Sequence, residues 1–379
     1  MIIRAPVFIQ FRYIMSLPNK LAGEPLRETS GSLTQARFDF QTYWGLALIC
    51  KQHLSDENYA VLFEFHDDIV LLDDFESPKT ADFFQVKTKS STALWSLADL
   101  KYRKKKAVKK NVEQDPETET HLPSILGKMF DNIEKFGDYI SSVCFVSNAP
   151  CGLNISSTNF RFKDCNPSDF AKIAEAVKSE YPNATDAQIS LLGFEKTELS
   201  LEDPATHAKG KLHDLVTVNL GATEFDLETL FKAIVSECRK KSIFKDQLNS
   251  FEHIVQKKGI SRSDVQSWLD SVQATSMMPA WSEIAPELHC GILEKLKIRD
   301  QWQSYRAQAL DPGNESIRLA RLYIRKQLEK ASSDISSLTI LVDETAEEIK
   351  EVCAPLIVPF SSYRLKAMVI YEIYSRDKD

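Results

Sequence analysis

None of the seven cysteines forms a CxxC pair, and none stands at a Cys/His spacing that suits zinc, so neither a zinc module nor a disulfide-built scaffold is expected. Cys50, Cys144, Cys151, Cys165, Cys238, Cys290 and Cys353 read instead as reduced, mostly buried thiols of a cytoplasmic protein. No apolar run approaches the roughly 18 to 20 residues that span a bilayer, so no membrane partner is expected. The opening MIIRAPVFIQFRYIM is apolar, but Arg4 and Arg12 interrupt it and no small-residue cleavage site follows. Met1 and Met15 both stand as candidate starts. There is no internal repeat and no low-complexity tract. An overall basic excess is also missing: 47 Lys and Arg against 54 Asp and Glu leave a net charge of -7. Nucleic-acid binding would therefore have to rest on a local cluster, and YRKKKAVKKN, Tyr102 to Asn111, is one.

What remains is an ordinary globular composition, 43% hydrophobic and 27% charged, in 379 residues that can bury at least one large core. Residues 1–27 read as a flexible leader, rich toward their end in Ser, Gly, Pro and charge. Thr34 to His53 carries a broad apolar helical face, and Tyr59 to Phe65, Ile69 to Leu72 and Asp82 to Thr88 read as three strands. Leu94 to Lys110 reads as a helix, QDPETET as a loop, Leu122 to Phe136 as an amphipathic helix, and Ser142 to Val146 as a buried strand. Helix, three strands, helix, strand calls for an α/β fold, a mixed sheet with helices on its faces. Farther on, Asn159 to Phe162 and Phe194 to Leu201 read as strands, Ser168 to Tyr181 as a helix capped by Ser168, and Phe225 to Lys241 as another helix. From Gln247 the pattern is almost wholly helical, which sets an expected boundary between residues 28–245 and 246–379.

The chemistry concentrates in EFHDDIVLLDDFESPKTADFFQVKTK, Glu64 to Lys89, where adjacent apolar strands carry charge. A buried charge must be paired or bound to an ion. Side chains alternate along a strand, so Gln85 and Lys87 share one face and Phe84 and Val86 the other. Asp68, at the mouth of the neighbouring strand, and Glu64, just before the turn, are candidate company. Two carboxylates and an amide oxygen are hard donors suited to Mg2+. An ammonium beside the metal stabilises a pentavalent phosphate and orients the nucleophile. Asp, a short span, then Gln-x-Lys is the order of roles that a metal-dependent phosphodiesterase needs. The bland readings stand beside these: His66 shapes the turn or meets solvent, Trp95 is core, the basic run is a solvated helix face, and Arg318, Arg321, Arg325 and Lys326 are another solvated face.

The segments SGSLTQARFDFQTYWGLAL, LFEFHDDIVLLDD, DFFQVKTKSSTALWSLADL and SSVCFVSNAP resemble the N-terminal nuclease domain of the CD-NTase-associated double-stranded DNA endonucleases, found in CBASS and in Lamassu anti-phage effectors. The resemblance covers about residues 28–245. It implies a restriction-endonuclease-like sheet of the PD-(D/E)xK superfamily, in the variant with Gln for the acid of the third motif. It further implies Asp68 as principal metal ligand, Gln85 as a second, Lys87 as catalytic lysine, and Glu64 and Gln41 as supporting polar groups, with Asp67 an ambiguous neighbour. Mg2+, with Mn2+ as a substitute, would be the cofactor. Within a nuclease, Lys101, Arg103, Lys104, Lys105, Lys106, Lys109 and Lys110 become candidates for phosphate contacts. Residues 246–379 are short for the cyclic-oligonucleotide-sensing SAVED domain and their helical texture differs from it, so the resemblance favours a Lamassu-type subunit. It then implies an SMC-like ATPase and an accessory subunit as partners, with release and homo-oligomerisation accompanying activity. The alternatives are a nuclease gated by a cyclic oligonucleotide and an assembly module that keeps the fold without the chemistry.

Overall fold

The computed structural model describes residues 30–55, 58–89, 93–105, 121–154, 156–221, 225–246, 248, 250–310, 314–331 and 337–376. The chain divides at Asp39 and Phe40 into two compact units. The described residues of the first lie in helix α1, Ser30–His53, where Gln35 Nε2 donates to Asp39 Oδ1 one turn on. The rest concerns the second unit. The expected leader, residues 1–27, lies outside the described residues.

Strands β1 (Ala60–Phe65), β2 (Asp67–Leu72) and β3 (Ala81–Lys87) form an antiparallel meander. Helix α2, Leu97–Lys101, opens on a capping box between Ser96 and Asp99 and is far shorter than the expected Leu94 to Lys110. Past Lys101 the helix stops, with Tyr102 extended and Lys105 bridging to His121, which keeps apart the like charges of Lys101, Lys104 and Lys105 that would stack at i, i+3 and i+4 on a helix. Helix α3, Ile125–Phe136, is capped by Ser124 at its start and by Gly137 at its end. It completes the crossover that lets β4, Ile140–Ser147, run parallel to β3. Next come β5 (Asn159–Arg161), α4 (Pro167–Glu180), α5 (Asp186–Ile189) and β6 (Leu192–Lys196). The cap of α4 is Asn166, whose side chain accepts from Ser168 N, so the helix starts at Pro167 and Ser168 is not its cap. Helix α6 (Pro204–Leu220), capped by Asp203, was not anticipated. It precedes α7 (Leu227–Ile243), α8 (Phe251–Lys258), β7 (Gly259–Ser261) and α9 (Arg262–Ser276).

The strands form one mixed seven-stranded sheet in the order β5-β6-β4-β3-β2-β1-β7, helices packing on both faces, as a restriction-endonuclease-like α/β fold requires. One face carries a core built with Phe40, Trp44 and Ile49 of α1, Leu212 and Val216 of α6, Ile234 and Cys238 of α7, and Trp268 and Val272 of α9. The other is covered by Met129, Phe130 and Ile133 of α3 and Ile173 and Val177 of α4. Residues 246–276 fall on the helical side of the expected boundary. Here β7 pairs with β1, and α9 packs on the sheet's core. A separate apolar core begins at Met278.

That second core is all helical: α10 (Trp281–Ile284), α11 (Ile292–Gln308), α12 (Glu315–Leu328), α13 (Leu338–Cys353) and α14 (Ser362–Arg376). Helix α14 is its centre, packing against α11, α12 and α13. Its Glu372 is fully buried and accepts from Arg321 Nε at 2.7 Å and Arg325 Nε at 2.6 Å. The reading of Arg321 and Arg325 as a solvated face is thus corrected: they are a buried carboxylate's counter-charges, as such a group demands. Arg318 pairs with Glu315 on its own helix, at 3.8 Å. Among the described residues no helix is long and apolar enough to cross a membrane.

Candidate active site

The β1–β2 hairpin turns on a single residue, His66. Phe65 pairs with Asp67 and Phe63 with Ile69, which leaves Glu64 facing Asp68 across the ladder. Glu64 at φ 48° and His66 at φ 64° both lie in the left-handed region, a strained conformation that persists only where the surroundings enforce it. They do so here. The His66 ring stands edge-on to Phe65 at 4.4 Å and to Phe136 at 4.9 Å, and burial together with Lys135 depresses its pKa. From below, α1 approaches so closely that a Cβ on Gly45 would meet Phe63 Cε1 at 2.6 Å.

The ladder between β2 and β3 ends with Ile69 opposite Phe84. Beyond it the Asp68 side chain replaces the backbone partner, its Oδ2 accepting Val86 N at 2.8 Å and Lys87 Nζ at 3.1 Å. The strands open here, and the polar groups of both line the opening. Lys87 is half-exposed and Asp68 largely shielded. Gln85 is buried, and among the described residues its Oε1 has no hydrogen-bond partner. Gln41 of α1 donates from Nε2 to Val86 O at 3.3 Å, while its own Oε1 is also buried without a partner among the described residues. A buried amide oxygen left unpaired costs free energy, which a cation or a water bound there recovers. Glu64 has its pKa raised, first by burial and then by Asp68, with Lys87 and Lys258 pulling the other way.

Asp67 takes a different part. Its Oδ1 accepts Asp68 N and its Oδ2 accepts Asn132 Nδ2, both at 2.9 Å, so it anchors the hairpin to α3. Burial, then the adjacent Asp68, pushes its pKa up to about 7. Among the described residues no three His, Cys, Asp or Glu side chains cluster as a metal site. An ion at this opening would sit on one or two carboxylates and an amide oxygen, a donor set that suits a hard divalent cation retaining several waters.

A model of the family described as "Cap4, dsDNA endonuclease domain" matches residues 29–242, more than half of the chain. The chain belongs to this Cap4 endonuclease family. The matched stretch holds the whole Asp68, Gln85 and Lys87 arrangement together with α1 and β1 to β6, and its activity class is DNA endonuclease. No curated protein and no solved structure matches the chain.

The basic run is partly spoken for. Lys101 ends α2, Arg103 Nε lies 3.7 Å from the buried Glu180 carboxylate, and Lys105 bridges to His121 through the backbone. Lys104 is exposed. Lys106, Lys109 and Lys110 lie outside the described residues. Trp95 packs as expected, edge-on to Phe145 at 4.8 Å and donating Nε1 to Ser147 Oγ at 2.8 Å. Sequence reading missed Asn132 and Lys258, since neither carries a local signal: an Asn in an amphipathic helix and a Lys at a helix end are ordinary in isolation.

Proposed function

We propose that this chain cuts double-stranded DNA with a divalent ion, Mg2+ in the cell with Mn2+ as a substitute, at the opening between β2 and β3. The observation that carries this is the Lys87 ammonium on Asp68 Oδ2, with Gln85 two residues earlier on the same strand and its buried Oε1 without a partner among the described residues. Asp68 and Gln85 would hold the ion, with Glu64 across the ladder as a third donor. When bound, the ion supplies an activated water and charge for the phosphate oxygens. Lys87, half-exposed, can meet a phosphodiester entering from solvent and donate to its developing charge. Gln41 holds β3 at Val86 so that Gln85 and Lys87 keep their facing. Asp67, tied to Asn132, keeps the hairpin strained in place and leaves Asp68 free for the site. Lys101 and Lys104 would add phosphate contacts that position DNA without reading its sequence.

In this reading the protein is the effector of an anti-phage system of Lamassu type, restrained by an SMC-like ATPase partner until infection releases it to self-associate. Support comes from the start of α11, where Ile292 and Leu293 are 78% and 75% exposed on a helix that otherwise serves the second core. Exposed aliphatic side chains grouped on one turn fit a docking surface. The test is supercoiled-plasmid cleavage with and without Mg2+, by wild type and Lys87→Ala. Mg2+-dependent cutting that the substitution removes is expected; metal-independent cutting, or cutting that survives it, sinks the reading.

A further inference from the structure

The ladder between β3 and β4 ends with Lys87 opposite Ser147. A side chain then takes over from the backbone. Asn148, the residue after β4, accepts Lys89 N on Oδ1 at 3.0 Å and donates from Nδ2 to Lys89 O at 2.8 Å. A carboxamide offers the same donor and acceptor as a peptide group, so Asn148 pairs with Lys89 as a further strand residue would and extends the hold on β3 two residues past Lys87. The Lys89 side chain is fixed as well. Its Nζ donates to Leu94 O at 2.7 Å and to Asp99 Oδ2 at 2.9 Å, and it lies over the Trp95 ring, 4.5 Å from the centroid. Asp99 closes the capping box of α2, and the Trp95 backbone bonds Pro150 O and Gly152 N, each at 2.9 Å, so the groups that anchor Lys89 are tied to the chain that follows Asn148. Before Lys87, Val86 N is held on Asp68 Oδ2 at 2.8 Å. Lys87 therefore rides on a short span pinned at Val86 and at Lys89.

We propose that Asn148 is a positioning residue of the nuclease site, whose carboxamide fixes the strand end that aims Lys87 at the scissile phosphate. The proposal rests on the reading of Lys87 as the lysine that meets that phosphate. Asn148 itself acts through the backbone of Lys89 rather than on DNA or an ion. Releasing Lys89 N and O leaves the span pinned from the Asp68 side, and a displacement of about 1 Å in a reacting group costs roughly tenfold to a hundredfold in rate. The maximal rate should fall while DNA affinity stays.

The experiment is single-turnover cleavage of supercoiled plasmid in saturating Mg2+ by the full-length protein, over an enzyme concentration series that gives the maximal rate and the half-saturating concentration. Wild type, Asn148→Ala, Lys87→Ala and the double variant are compared, with a binding curve on uncut DNA for each. Asn148→Ala should lose tenfold to a hundredfold in maximal rate at unchanged half-saturation and DNA binding, and in the Lys87→Ala background the same change should cost less than about twofold, because groups that act as a unit are not additive. An equal loss in both backgrounds would mark a general structural role and overturn the assignment, as would a wild-type rate for Asn148→Ala or a loss confined to half-saturation. If Lys87→Ala cuts at the wild-type rate, the reading of Lys87 fails first and the assignment of Asn148 with it. Should Asn148→Ala not fold, the isosteric Asn148→Asp carries the same comparison, since it keeps the acceptor for Lys89 N and loses the donor to Lys89 O.

Discussion

Replacing Lys87 by alanine separates catalysis from stability, and the structure sets both magnitudes. The pair with Asp68 is 3.1 Å long, but the lysine side chain is 40% exposed, so solvent screens it. Half-exposed pairs of this kind contribute about 1 kcal/mol at most. Asp68 keeps its bond from Val86 N, so the opening does not collapse. The expected loss of stability is therefore under about 1 kcal/mol, or a fall of roughly 2–4 °C in melting temperature for a domain of this size. Losing a preorganised charge aimed at the transition state costs on the order of a hundredfold to a thousandfold in rate, about 2.7–4 kcal/mol. The assay is a time course of plasmid linearisation at saturating Mg2+, beside a melting curve and a filter-binding curve on uncut DNA. A folded Lys87→Ala protein that cuts within a few-fold of wild type would refute the catalytic assignment. A variant that melts far below wild type would show that the pair is structural.

Asp68→Ala should abolish divalent-ion uptake in calorimetry, while Gln85→Ala weakens it by roughly ten- to a hundredfold, because an ionised carboxylate outbids a neutral amide. Charge reversal at Lys101 and Lys104 should weaken DNA binding equally across sequences, each lost phosphate contact lowering the salt slope by about one; an unchanged slope would return the run to a solvated face. Glu372→Ala strands Arg321 and Arg325 around an empty space and should cost about 3–5 kcal/mol in urea unfolding, far more than Glu315→Ala at the exposed pair with Arg318. Asp67 titrates at about 7 when folded, above its ordinary value, so folding takes up a proton there. The stability present below that ordinary value is lost as pH rises toward and through 7. In metal-free buffer, Asp67→Asn should therefore melt a few degrees above wild type at pH 8 and gain less at pH 5.

The elements with their own periodicity were legible. The three strands around EFHDD and FFQVK fall within two residues of their expected ends, and alternation alone put Gln85 and Lys87 on one face. Asp68 was legible as their neighbour because only one turn separates its strand from theirs. What was hidden depends on distant partners. A three-residue strand such as Gly259–Ser261 has no period to read, and its pairing with β1 spans some two hundred residues. Arg321 and Arg325 sit four apart on α12, which reads as a polar face until Glu372 arrives from α14 between them. Asp67 and Asp68 are indistinguishable as letters. They separate only because the hairpin turns one toward Asn132 and the other toward Lys87.

The β7–α9 segment also bears on how the molecule can be cut. A fragment ended at the last matched residue, near 242, would uncover the backbone edge of β1 along Ala60 to Leu62 and the apolar patch that Val265, Trp268, Leu269 and Val272 now cover. An open strand edge next to bare hydrophobic surface invites intermolecular pairing, so such a fragment should precipitate or form soluble aggregates on expression. Ending the fragment near Met277 keeps the seventh strand and its covering helix and stops before the second core begins at Met278. Separate production of the catalytic half depends on that choice of end point.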